Sequence, residues 1–293
     1  MTRARDWWRN PWGRPRFLFL FTLLYLAWSI VPILVAVRFS FNDGRSRSTG
    51  QGWSTRWYWQ EPDLSVWNDP TLRDAVYQSV KLASLAMLIA VPLGVALAIG
   101  LTRWRGRGSG SARFVTLFPL VTPEIVMGTA LFLTFVHLFR FVELGTTAQL
   151  LGHVTFSISF VVIIVRGRLL SIGREYEEAA MDLGASPFQA LRLALLPLLY
   201  PAVFASFMIV FAISIDDFVI TAFLSSDIST ETVPVKIYSN ARGAPTPALN
   251  ALASVMLFAS LLAVGLALLF VRLVQRARGE RASAVEDFAQ LRV

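Results

Sequence analysis

Three carboxylates stand inside long apolar runs of this chain: Glu124, Asp216 and Asp217. An acid in an apolar layer such as a bilayer centre costs about 2.5–3.5 kcal/mol, so it faces a bundle interior or a water-filled path. No lysine or arginine is evident beside these three in the runs that hold them. Such a set suits a path for a cation, because a dehydrated ammonium needs an anionic or aromatic partner. Asp216 and Asp217 are adjacent, so on one continuous helix they point about 100° apart. They face a common lumen only if the helix opens there; otherwise one serves the path and the other a structural contact. Structural alternatives exist for each acid. Asp216 caps a broken helix, or the acids sit nearer an interface, or Glu124, which follows Pro123, caps backbone amides freed at a bend. Phe118, Phe132 and Phe218 are candidate ring partners for ammonium groups, but the chain has 22 phenylalanines, so most serve packing or face lipid.

Other chemistries are excluded by residue type. Cysteine is absent, which removes disulfides, thiolate metal sites and a cysteine nucleophile. The two histidines, His137 and His153, are too few for a histidine zinc site; they lie near the ends of apolar runs and read as interfacial. A phosphate-binding Walker A loop needs a lysine after glycine, and Lys81 and Lys236 each follow valine. The chain is therefore not its own ATPase. Neither a GxSxG serine elbow nor an HExxH zinc motif occurs. The expectation is a non-enzyme with no metal and no cofactor of its own.

The elements that hold the acids follow from hydropathy. Of 293 residues 55% are hydrophobic and 16% charged, the latter against roughly 25% in a soluble domain, and the mean hydropathy is +0.57. A bilayer crossing takes about 20 apolar residues. Stretches 17–37, 80–101, 114–139, 148–165, 198–224 and 249–273 meet or approach that length, which predicts an all-α, polytopic membrane protein with six transmembrane helices. Pro92, Pro119, Pro123 and Pro201 fall inside three of them, and a membrane helix tolerates proline where neighbours satisfy the freed carbonyls. These three spans are expected to be bent. The first stretch exceeds a signal-peptide core of roughly 7–15 residues, and no small-x-small site ends it, so it reads as an uncleaved span.

Arginine and lysine set the orientation. With an inner amino terminus, the inner flanks carry twice as many basic residues as the outer ones, so both termini are expected in the cytoplasm. Topology thereby accounts for the formal charge of +8, and nucleic acid is not an expected partner. The resulting organisation is an inner tail (1–16), a first crossing (17–39), an external loop (40–79), a membrane core (80–274) and an inner tail (275–293). The external loop holds Trp53, Trp57, Tyr58, Trp59 and Trp67. Aromatics favour the membrane–water interface, so the loop is expected to lie on lipid, with length enough to meet an external partner.

The inner connection 171–197 is long for a turn. Glu175, Glu177 and Glu178 oppose the positive end of a helix dipole. Tyr176, Ala179, Ala180 and Leu183 share one face and Glu175, Glu178 and Asp182 another. Gly184 is placed to end this helix, and Ser186 and Pro187 to start a second short amphipathic one, with Pro197 standing before the fifth span.

Residues 178–197, EAAMDLGASPFQALRLALLP, resemble the EAA loop of permease subunits of binding-protein-dependent ABC importers in Glu178-Ala179-Ala180, Gly184 and Leu196-Pro197. Ala194 departs from the isoleucine usual there, which bears on packing of the second helix. The resemblance covers nearly the whole chain and is greatest to spermidine/putrescine permeases, the PotC type especially. SFND (40–43), RWYW (56–59), PLVTPEIVMGTALF (119–132), SIDDFVITAFLSS (214–226) and VPVKIYSNARGAPTPALNALAS (233–254) carry it. It implies a MetI-like transmembrane domain forming half of a two-permease pore. The expected partners are an ATPase subunit dimer below, which binds the ATP, a second permease subunit, a different chain, beside it, an external solute-binding protein above, and membrane lipid around it. It further implies ATPase coupling through Glu178, Ala179, Ala180, Asp182, Leu183 and Gly184, and a polyamine path past Asp216, Asp217 and Glu124. Asp216 binding the partner permease is the alternative there. Within this class other solutes remain open: an opine, an amino-acid derivative or a metal chelate. A stand-alone secondary transporter would be favoured by inverted repeats, and none is convincing; a lipid enzyme would need polar residues converging on one side, and none converge.

Overall fold

In a computed structural model of the protein, residues 16–46, 49–104, 106–243 and 246–277 are described. Regular structure among them is helical, apart from one bridge between Asn42 and Trp53. Five helices are long and apolar enough to cross a membrane, and a sharply bent pair makes a sixth span. The tails expected at either end fall almost wholly outside the described residues.

Helix α1 (Arg16–Ser40) lies against the last helix with most of its side chains exposed. A short α2 (Arg56–Trp59) interrupts the loop that follows. Helix α3 (Pro70–Arg103) starts well before the apolar run. Asp69 caps it by accepting the Thr71 N–H at 2.8 Å, and Pro70 sits in the first turn, where its missing N–H is not needed. Helices α4 (Ser109–Val121) and α5 (Glu124–Leu133, prolonged by a π turn Thr134–Leu138) meet at 106°. The third span is thus broken at Thr122-Pro123 rather than bent. The second runs on as one helix through Pro92.

Helix α6 (Thr146–Ile172) is followed by α7 (Glu175–Asp182) and α8 (Pro187–Ala190), and a π turn (Leu191–Leu195) leads without interruption into α9 (Leu196–Asp216). Residues Pro187–Asp216 make one crossing helix, so the second short helix expected from sequence is the start of the fifth span. Pro197 cannot donate to the carbonyl four residues back, and its ring crowds that carbonyl. The wider π turn just before it absorbs the mismatch. The described residues end in α10 (Val219–Leu224), a 3₁₀ turn (Ile228–Thr230), α11 (Val233–Gly243) and α12 (Pro247–Ala277).

Helices α3, α6 and α9 form the core, where Val91, Val95, Ala98 and Leu101 meet Val161, Val165, Leu169, Leu195, Leu199 and Val210. Small residues let membrane helices approach closely. Ala86, Ala90 and Ala98 are fully buried on α3, and a methyl group on Gly94 between them would lie 2.6 Å from the Val161 side chain.

The loop 40–79 does not lie flat. Trp57, Tyr58, Val66, Leu72, Ala75 and Val76 bury with Val233, Leu249 and Leu252 in a separate cluster. The Trp57 indole N–H donates to the Asn42 carbonyl at 2.6 Å, and the Ser40 and Tyr58 hydroxyls are 2.8 Å apart. Only part of the aromatic set (Trp53, Trp59, Trp67) stays exposed as an interfacial loop would have it. Two indole and phenol side chains found backbone and hydroxyl partners within the protein, which outweighs partial solvation at an interface.

Candidate functional site

Two places gather the polar groups of interest, one at each end of the bundle. At the end of the bundle covered by the cluster around Trp57 and Tyr58, the cap, the fifth span breaks. Helix α9 stops at Asp216, Asp217 is extended (φ −66°, ψ 126°), and α10 restarts at Val219. One of the two adjacent acids holds the break. The carboxylate of Asp217 reaches forward and accepts the Thr221 N–H at 2.9 Å and the Thr221 hydroxyl at 3.0 Å. It thereby satisfies an amide that the new helix start leaves without a partner. Asp217 is the capping acid, not Asp216.

His153 closes the arrangement from α6. Its Nδ1 is 2.6 Å from the Ser214 hydroxyl, and its Nε2 is 3.0 Å from the Thr221 hydroxyl and 3.4 Å from the Asp217 carboxylate. The Thr221 hydroxyl spends its proton on Asp217, so it accepts from His153; the imidazole therefore carries a proton on Nε2. One ring spans the last turn of α9 and the first turn of α10. One turn before it on α6, Gln149 donates to the Thr230 carbonyl at 2.9 Å and accepts from the Gln78 amide of α3 at 3.0 Å, and that amide also reaches Thr146 at 2.8 Å. Next to Gln78, the Ser79 hydroxyl accepts the Val233 N–H at 2.8 Å. Four segments around the break are tied together by side chains.

His153 is 2% exposed, buried in the bundle rather than interfacial as its position near a span end suggested. A signal was present: Gln149, His153 and Ser157 recur every fourth residue of α6, and all three are buried. A polar stripe at that spacing on an apolar helix marks a face turned to partners.

Asp216 differs from its neighbour. It is exposed and makes no hydrogen bond or ion pair among the described residues, whereas the Asp217 side chain is 7% exposed. Beside it, the Phe218 ring meets Tyr238 of α11 at a tilt of 52° with centroids 4.7 Å apart, and the Arg242 guanidinium lies 4.4 Å over the Tyr238 ring. Glu124 is exposed in the first turn of α5, just past the break in the third span. Phe118, on α4 before that break, is exposed too, while Phe132 belongs to the margin of the α5–α6–α10 cluster. The breaks of spans three and five are joined by packing. Met127 of α5 and Ile220 and Leu224 of α10 share a cluster with Phe156, and Gly128 admits the Phe223 ring where a methyl group would lie 2.8 Å from it.

At the other end, α7 and its turn form an exposed elbow. Gly184 has φ +91°, which a side chain would strain. The Gly184 N–H bonds the Met181 carbonyl at 2.9 Å and the Ala185 N–H the Ala180 carbonyl at 3.0 Å, the paired bonds of a Schellman ending. Ser186 accepts the Gln189 N–H while the Gln189 side chain accepts the Ser186 N–H, a complete capping box that restarts the chain as α8. No residue of α7 is buried, and Leu183 is 91% exposed. Glu178, Ala179 and Asp182 are exposed with it, and Ala180 is half-buried. Sequence reasoning located this elbow but missed one contact: Glu177 pairs with Arg103 at the end of α3.

A family model described as binding-protein-dependent transport system inner membrane component matches residues 90–279. The chain is 36% identical over 254 residues to the putrescine transport system permease protein PotI of Escherichia coli K12, covering 85% of this chain and 86% of that protein. It is 35% identical over 252 residues to the spermidine/putrescine transport system permease protein PotC of Haemophilus influenzae, covering 86% and 95%. Among solved structures, a chain of a bacterial alginate ABC transporter in complex with a pentasaccharide-bound periplasmic protein superposes with a TM-score of 0.70 at 14% identity, over 96% of this chain and 99% of that one. A chain of the inward-facing MetNI methionine ABC transporter gives 0.56 at 17% identity, over 69% and 93%. At such identities the likeness is one of fold, an all-α, MetI-like membrane architecture.

Proposed function

Because this chain belongs to the family of inner membrane components of binding-protein-dependent transport systems, we propose that it is a permease subunit that carries polyamines, or a similar small cation, through an ATP-driven importer. It is a multi-pass inner membrane protein, and the ATPase of such a system is a separate subunit. The observation that carries the solute class is the identity to a putrescine permease over most of both chains.

Both termini and the α7 elbow lie in the cytoplasm on this reading, as the arginine bias requires. Two ATPase subunits hold ATP and grip the elbow through Glu178, Ala179, Ala180, Asp182, Leu183 and Gly184. The exposure of every one of these but the half-buried Ala180 supports that role. An external binding protein delivers solute at the cap end, and a second, different permease chain completes the pore. Exposed carboxylates do not face lipid, so Asp216 and Glu124 look into the shared pore and receive ammonium groups. Asp217, tied to His153 and Thr221, holds the break that presents Asp216. Opening and closing then consists of moving the broken spans, α4–α5 and α9–α10, against their counterparts in the partner.

The test is copurification and uptake in the reconstituted importer. Wild-type chain is expected to copurify with an ATPase subunit and to take up labelled putrescine or spermidine only with ATP and the binding protein. Glu178→Lys or Gly184→Pro is expected to lose the ATPase while inserting normally, and Asp216→Asn to slow uptake without loss of assembly. Uptake by the purified chain alone, or ATPase retained by both elbow variants, would refute the reading.

A further inference from the structure

Glu177 stands apart on α7. The helix is otherwise exposed along its acidic face, yet the Glu177 side chain is 19% exposed and pairs with Arg103, itself 21% exposed. Arg103 is in the last turn of α3 and Glu177 in the first turn of α7. Each charge therefore sits at the helix end whose dipole favours it, and the pair joins the negative end of one helix to the positive end of the other. Partial burial of both groups reduces the screening that weakens a surface ion pair. Arg174 and Glu178 lie close enough to act on Arg103 electrostatically. The Arg103 Nε–H is buried without a hydrogen-bond partner, so the guanidinium is only partly satisfied by this contact.

What the pair connects matters more than what it stabilises. Helix α7 reaches α9 through the chain itself, by way of the Gly184 turn and the capping box. It reaches α3 across space, through Arg103. Helix α3 spans 34 residues, a rod about 50 Å long at 1.5 Å per residue. Its far end buries Leu72, Ala75 and Val76 in the cap cluster and carries Gln78 and Ser79 of the side-chain ties around the broken span.

We propose that the Arg103–Glu177 pair is a transmission latch, which makes α3 follow the elbow in step with α9 during transport. Arg103 and Glu177 are positioning residues: neither touches solute or nucleotide. This rests on the elbow being the ATPase contact. With the latch broken, elbow motion reaches α6 and α9 through the chain but α3 only through side-chain packing, the core helices move out of step, and ATP is hydrolysed without matching uptake.

The experiment uses the complete importer in proteoliposomes and reads solute taken up per ATP hydrolysed, with ATPase copurification alongside. Arg103→Glu and Glu177→Arg are each expected to lower that ratio roughly five- to tenfold, the size of a typical coupling energy, while the ATPase still copurifies. The double exchange is expected to regain most of the loss, short of all of it because the helix dipoles disfavour the swapped charges. A wild-type ratio in either single variant, or a double variant no better than the worse single one, overturns the latch. Should charge reversal prevent assembly, Arg103→Gln and Glu177→Gln replace it, and unchanged ratios in both overturn it equally. Failure of the wild-type chain to hold an ATPase sinks the function proposed above instead, so the two failures are separable.

Discussion

At the cap end Trp57 is sealed from solvent inside a cluster drawn from the loop, α3, α11 and α12, and its indole N–H is bonded. At the elbow end Leu183 stands 91% exposed and α7 buries nothing. The cap end is cross-braced by side chains from distant parts of the sequence: Gln78 to Gln149, Gln149 to Thr230, His153 to Ser214, Ser79 to Val233. The elbow end has local bonds, the Schellman ending and the capping box, plus the Arg103–Glu177 pair. The cap buries its large apolar side chains within the chain, whereas α7 leaves both its apolar and its acidic side chains uncovered. One end is held by long-range contacts within the chain, and the other by bonds between near neighbours in sequence and one ion pair.

Changes ranked by expected size break that comparison in different ways. Trp57→Ala should cost about 3–5 kcal/mol of folded stability, the range for removing a buried large aromatic, read as a lowered unfolding midpoint in detergent. A loss below 1 kcal/mol would mean the cap is an appendage rather than a folded unit. Asp217→Leu removes the acceptor of the Thr221 N–H and hydroxyl and should cost about 1–3 kcal/mol, with assembly weakened. Asp216→Leu should leave the unfolding midpoint within about 0.5 kcal/mol while slowing uptake. Equal destabilisation by both would erase the distinction between the tied acid and the exposed one.

Gly184→Ala should cost about 1 kcal/mol, the penalty of a side chain in the left-handed region, because nothing lies within 4 Å of the added methyl group. Faster amide exchange confined to α7, with the cap unchanged, would be its signature. The smallest effect concerns acid. The Glu61 carboxyl is held below its usual value of 4.5, first by its hydrogen bond from Arg56. The stabilisation is therefore fully present above pH 4.5 and fades as pH falls through the lower folded value. Glu61→Gln should lower cap stability slightly at neutral pH, as pairs near the surface do, and match the wild type once the pH is below that value. A difference that grows with acidification would contradict the assignment.

How much of this was readable beforehand varies by residue. The elbow was legible in detail, since Gly184, Ser186 and Pro187 act on the backbone within a few residues and their geometry follows from their own covalent structure. The apolar spans were legible because hydropathy is summed over a whole stretch. The breaks were legible only in part: Pro123 ended a helix while Pro92 and Pro201 did not, and that choice belongs to the neighbours that satisfy freed carbonyls. His153 was misread as interfacial because distance from a span end says nothing about which face turns inward. The meeting of Ser40 with Tyr58 and Asn42 with Trp57 left no trace in either segment, since folding of the loop alone brings them together.

Composition, periodicity and capping residues act locally, so they were enough to mark a helical membrane chain with a capped elbow and acids in its apolar runs. Only the tertiary structure decided that Asp217 is spent on Thr221 and His153 while Asp216 is left open, and that Glu177 reaches Arg103. Adjacent or distant residues of the same type are told apart by what packs beside them, and hydrogen bonds and ion pairs across a bundle depend on helix rotation and approach, which no single helix fixes.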